Sequence, residues 1–236
     1  MSTPRPAPAP FNPSWGAPRD HPRAGTVTGA ALLLALPAII AAVLVGAASP
    51  LWGGVVLLLG LALTGAWVAA QGWLALRSCG ARRLEPRRHP RLANVLSGIA
   101  AALGLEKVSA ATAPGSEAQA WLCPVGGEAV LVCSEGLLES FTRTELEAVV
   151  ASLLVRRRDH RALRPLMAAA LGTLAPRLGA VSTADDVRTL SVTRYPPALS
   201  SALRRARQVQ GRTAVFAFAP AGPPSPEERA AEIADL

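Results

Sequence analysis

The sequence predicts an α+β protein, mostly helical with a small sheet, that follows an N-terminal two-helix membrane hairpin. Three observations predict this. No charged residue occurs from Ala24 to Leu76. Apolar residues recur at helical spacing through most of the remainder. Two short apolar runs, Ala120–Cys123 and Ala129–Cys133, flank the turn-forming stretch Pro124-Val-Gly-Gly-Glu128.

The uncharged stretch is too long for a buried helix, and Ala48-Ser49-Pro50 divides it. Crossing a hydrocarbon core of ~30 Å takes about 20 apolar residues. Two spans are expected, at about 25–48 and 51–75. Trp52 and Trp73 bracket the second span, ~31 Å apart at 1.5 Å per residue, one for each interface. Pro37 lies inside the first span, where membrane helices tolerate it.

Arg5, Arg19 and Arg23 precede the hairpin, and Arg77, Arg82, Arg83, Arg87, Arg88 and Arg91 follow it. The turn between the spans carries no charge. By the positive-inside rule both termini are expected in the cytoplasm, and the protein is expected to be multi-pass in a bacterial inner membrane. The long Pro-rich leader argues against a cleaved signal peptide ending at Gly46-Ala47-Ala48.

The net charge of +8 comes almost wholly from Arg, Lys107 being the one Lys. Beside an apolar hairpin this charge points to anionic headgroups, so membrane lipid is the expected partner and nucleic acid is not. The odd set Cys79, Cys123 and Cys133 has no metal spacing and reads as free thiols.

Residues 1–23 form a disordered Pro-rich tail, 24–76 the hairpin, 77–91 a basic juxtamembrane linker and 82–236 a cytoplasmic domain. In that domain Pro90 opens a helix with Leu92, Val95, Leu96, Ile99 and Leu103 on one face, and Gly104 stops it. Val108–Thr112 reads as a strand. Thr142-x-x-Glu145 is a capping box opening the next helix. Leu166–Leu174 is a core or surface-lying helix, too short to span a membrane. Pro196-Pro197 opens a helix whose Arg204, Arg205 and Arg207 face water or lipid. Ala214–Ala219 is strand-like, and Ser225-Pro-Glu-Glu228 starts a terminal helix.

Several of these segments, in order, resemble the HtpX-like membrane zinc metallopeptidases, the group that includes CAAX prenyl proteases. They are His89-Pro-Arg-Leu92, Glu117-Ala-Gln-Ala-Trp121, Ser134-Glu-Gly-Leu-Leu138, Glu145-Leu-Glu-Ala-Val-Val-Ala151, Thr193-Arg-Tyr-Pro-Pro-Ala-Leu199 and Pro226-Glu-Glu-Arg229. The resemblance implies a zincin-like fold. It also implies a catalytic His-Glu-x-x-His at 152–156, and there the likeness fails.

A catalytic zinc needs three protein ligands and an open position for water, with a general base beside it. Ser152 stands at the first ligand position, Leu153 at the base, Arg156 at the second ligand and Ala184 at the third. Only Asp186 matches the family's Asp. A guanidinium that stays protonated repels a divalent cation. No cofactor is therefore expected, although the family carries zinc. A metal site on Asp159 and His160, or a nucleophilic role for Ser152, lacks partners.

The resemblance thus implies a proteolytically inactive peptidase relative with a binding or regulatory role. Its partner would be a membrane protein or an active paralogue. The family's edge for extended peptide maps to Gln119, Ala120 and Trp121. Two alternatives stand beside it: an active metalloendopeptidase with a rearranged metal site, and a membrane-surface structural module.

Overall fold

The computed structural model describes residues 24–106, 108–158, 163–172, 181 and 183–234. The expected Pro-rich tail with His21 lies outside them, as does the pair Asp159–His160.

Helices α1 (Ala24–Gly46) and α2 (Pro50–Ser78) form an antiparallel hairpin. Both are long and apolar enough to cross a membrane. Their large apolar side chains, among them Leu36, Leu44, Leu58 and Leu63, are exposed rather than packed into a core. Where the helices touch, the residues are small. A Cβ on Gly53 would lie 2.6 Å from the Cα of Gly46, and one on Gly60 would lie 2.5 Å from the Cβ of Ala38. Small residues let two helix backbones approach closely.

The sheet has four strands in the order β1-β2-β4-β3. Strand β1 is Arg82–Arg83, β2 is Val108–Ala113, β3 is Ala120–Val125 and β4 is Glu128–Ser134. Strands β2 and β4 are parallel; the other neighbours are antiparallel. The β3–β4 connection is the expected hairpin. Gly126 (φ 57°) and Gly127 (φ 85°) both take the left-handed conformation that a tight two-residue turn demands. The linker reading of residues 77–91 misses β1, because a two-residue Arg-Arg strand carries no apolar signal.

Side chains alternate across the sheet, and both faces are covered. Ala120, Leu131 and Cys133 face a core built with α3 (Pro90–Leu103), α5 (Arg143–Arg158), α8 (Pro196–Arg205) and α9 (Pro226–Ala234). Trp121, Cys123 and Val132 face the other way, onto Ala75 of α2, Leu166 and Ala169 of α6 (Leu163–Leu171), and a 3₁₀ turn at Arg212–Phe216. The last turns of α2 therefore belong to the core of the domain, so the helical hairpin and the domain share apolar packing. The two short helices α4 (Glu135–Ser140) and α7 (Thr183–Thr193) complete the fold.

Capping follows the sequence closely. Thr142 N–H donates to Glu145 Oε2 at 2.8 Å, and Glu145 N–H donates to Thr142 Oγ1 at 3.3 Å. The same reciprocal pair joins Ser225 and Glu228 at the start of α9. Helix α3 ends on Gly104 with φ 66°, the left-handed cap that glycine favours.

Arg205 is exposed, as its helix-face reading has it, but it is not unpartnered. It binds the Glu145 carboxylate at 2.8 Å and lies 5.2 Å from the centre of the Phe141 ring. Glu145 is almost fully buried, and burial pushes its carboxyl upward. Hydrogen bonds from Ser201, the Thr142 backbone and hydroxyl, and Arg205 outweigh that and hold it at about 2. An unfolded Glu titrates near 4.3, so the folded value is depressed. The resulting stabilisation is fully present above about pH 4.3 and is lost as pH falls through 2, an effect on the order of 3 kcal/mol. Glu145→Gln is expected to flatten the acid limb of the pH–stability curve between those values, read by thermal unfolding of the detergent-solubilised chain.

Candidate functional site

The positions singled out by the family resemblance come together where α5, α7 and the segment after the 3₁₀ turn meet. Ser152 and Leu153 are buried in α5, and Ala184 and Asp186 are buried in α7, which packs on α5. Helical spacing puts Ser152 and Arg156 on one face. Arg156 Nη2 approaches Ser152 Oγ at 3.4 Å.

The Arg156 guanidinium fills the space between α5 and the chain at Ala217–Phe218. Nη1 donates to the Ala217 carbonyl at 2.9 Å and Nη2 to the Phe218 carbonyl at 3.3 Å. Its Nε is enclosed and has no partner. Burial lowers its pKa to about 10, and the nearby Arg229 charge pushes the same way, while Asp185 and Asp186 oppose both. The group is a cation at neutral pH.

A second, deeper pair stands beside it. Arg229 of α9 binds Asp186 with two bonds, Nε to Oδ2 at 2.8 Å and Nη2 to Oδ1 at 2.6 Å. Both side chains are essentially inaccessible to solvent. Arg229 Nη1 reaches the Phe218 carbonyl at 3.3 Å, so one carbonyl oxygen receives both guanidinium groups. Pro226-Glu-Glu-Arg229 was legible as a helix start, but the partnership of Arg229 with Asp186, 43 residues away, was not.

Leu153 sits in the apolar core rather than at the polar cluster, where a base would need to stand. Zinc does not fit these residues. The set offers a hydroxyl, a methyl, an isobutyl and a guanidinium, and the Asp186 carboxylate is committed to Arg229. Among the described residues there is no group of three or more His, Cys, Asp or Glu that could hold a metal ion.

Of the three residues read as a peptide edge, Ala120 and Trp121 begin β3, the outer strand, and Gln119 immediately precedes it. It is not a free edge, however. The chain's own C-terminal segment occupies it: Arg207 N–H donates to the Ala118 carbonyl at 2.8 Å, and Phe218 N–H donates to the Ala120 carbonyl at 2.9 Å. Trp121 pairs with Ala217 in an antiparallel bridge. This also corrects the strand reading of Ala214–Ala219. Residues up to Phe216 coil into the 3₁₀ turn, and only Ala217–Phe218 extend along β3. Gln119 is tied through its own backbone to Ser134, whose hydroxyl accepts from Gln119 N–H at 2.9 Å and caps α4.

Arg156 is thus a strut holding the segment on the edge. Arg156→Ala is expected to speed amide exchange at Phe218 several-fold while leaving the β2–β4 ladder protected, measured by hydrogen exchange on the full chain.

Comparison with protein-family models, with curated proteins and with solved structures gives no match.

Proposed function

We propose that this chain is a membrane-anchored relative of the HtpX-like metallopeptidases that has lost peptidase chemistry and acts through binding or regulation. The observation that carries this reading is the Arg156 guanidinium. It stands among the family's metal positions and bonds to Ser152, Ala217 and Phe218. A fixed cation in that place works against a divalent ion and against activating its water. The ordered resemblance of the surrounding segments supports the family; the exposed apolar hairpin supports a multi-pass anchor, and Arg placement supports cytoplasmic termini.

A membrane protein or an active paralogue remains the expected partner. A partner strand could join β3 only by displacing Ala217–Phe218, so such binding would be gated by the chain's own segment.

Metal analysis of the intact chain purified in detergent tests the reading. Zinc far below one equivalent per chain is expected, and chelator should leave the thermal midpoint unchanged, because no metal contributes to folding. Near-stoichiometric zinc, removed by chelator together with cleavage of casein, would establish the rearranged metallopeptidase instead.

A further inference from the structure

We propose that the β3–β4 turn, the C-terminal end of α5 and helix α6 form the surface that rests on the lipid headgroup layer, while the basic stretch after the hairpin points away from it. The inference rests on the reading of α1 and α2 as membrane spans and gives that anchor an orientation.

Two contacts fix how the sheet lies along α2. The backbone of Gly72 is pressed against the carbonyl oxygen of Pro124. Farther along the chain, Gly80 meets Pro114, whose Cδ lies 3.5 Å from where a Gly80 Cβ would be. Pro124 belongs to the turn end of β3. Pro114 follows β2 at the opposite end of the sheet, where Ala113 pairs with Ser134. Gly72 and Gly80 are at most ~12 Å apart along α2, whereas Pro124, level with Ala129, and Pro114, just past the Ala113–Ser134 pair, are about six strand residues or ~20 Å apart. The strands therefore cross α2 obliquely, with the β3–β4 turn nearer the hairpin.

Gly72 adjoins Trp73, which is half exposed and marks the interface of the span. The exposed Gly126 and Gly127 thus lie near the level where hydrocarbon gives way to headgroups. Arg157 Nη2 donates to the Gly127 carbonyl at 3.1 Å, which brings the end of α5 to the same level. Helix α6 goes deeper. Leu166 reaches Gly72, while Met167, Ala168 and Leu171 pack with Ala30, Leu34 and Val68. Val68 lies four residues, ~6 Å, farther toward the centre of the span.

Arg157, with Arg77 stacked 5.3 Å from the Trp73 ring, presents guanidinium groups suited to lipid phosphate. Among the described residues, Glu128 is an acidic group on this surface, beside Arg157. The linear reading placed the cluster Arg77–Arg91 at the headgroups. Its later members leave them: Arg91 bonds the Leu138 carbonyl in α4, which starts beyond the far end of β4.

Nitroxide labels on the full chain in phosphatidylethanolamine–phosphatidylglycerol nanodiscs test this, at Glu128→Cys, Arg88→Cys and Leu58→Cys. Burial pushes the thiols of Cys123 and Cys133 up to about 12 and that of Cys79 to about 11, so an exposed new thiol reacts in preference. The Glu128 label should be relaxed several-fold more than the Arg88 label by a lipid-anchored nickel chelate, and the Leu58 label by oxygen. Equal or reversed relaxation at 128 and 88, with Leu58 in lipid, overturns the orientation alone. A water-exposed Leu58 label overturns the spanning hairpin as well.

Discussion

Asp186→Ala is expected to lower the thermal midpoint of the detergent-solubilised chain by on the order of 10 °C. The cause is the charge it strands. Arg229 is buried to 1 % exposure, and two of its donors end on the Asp186 carboxylate. Removing one partner of a buried pair costs about 3–5 kcal/mol, because the remaining ion has neither water nor counter-charge. The stranded cation would also sit near Arg156, with which it shares the Phe218 carbonyl. Removing both charges, as Asp186→Leu with Arg229→Met, should cost clearly less than Asp186→Ala, since no unpaired ion remains. If the single variant melted with the parent protein, the pair would not be the buried electrostatic link that the geometry describes. A double variant as damaged as the single one would instead place the cost in packing.

The parts of the fold carried by local patterning were legible in the sequence. The two apolar helices, the helix from Pro90 to Gly104, the Gly126-Gly127 turn, the capping box at Thr142 and the N-cap at Ser225 depend on residues near one another in the chain. What was not legible depends on contacts between distant segments. Nothing local to Arg82-Arg83 announces a strand; it exists because β2 offers an open edge. Nothing in Ala217-Phe218 tells that it covers β3, since apolar alternation fits a free strand equally well. The site divides in the same way. Ser152 and Arg156 were singled out by the family resemblance and share a helix face by spacing, whereas the Phe218 carbonyl comes from 62 residues away and Arg229 from farther still. The place of the later arginines was not legible for a related reason: counting Arg along the chain puts them beside the apolar helix, whereas Arg91 bonds the Leu138 carbonyl of α4, 47 residues away.

Gly72→Leu should break the junction between the helical hairpin and the domain, and Gly65→Leu should not. Both glycines lie in α2, and both substitutions add the same side chain and the same helix propensity. Gly65 has open space around it, with nothing within 4 Å of a built Cβ. At Gly72 the Cβ would overlap the carbonyl oxygen of Pro124, which is backbone and cannot rotate aside. Pro124 is held in register by β4, paired with Ala129, so relief requires α2 to lift from the sheet. That lift would open the apolar layer of Ala75, Trp121, Cys123 and Leu166, which lies beneath it. The cost should exceed the roughly 1–3 kcal/mol usual for an overfilled core, because backbone rather than a side chain must yield. Thermal unfolding and limited proteolysis of both variants in detergent would read it, with earlier melting and new cleavage near residues 124–128 expected for Gly72→Leu only. Equal behaviour of the two would mean that the helix and the sheet turn are not in contact. The orientation of the domain on the membrane would then lose its first fixed point.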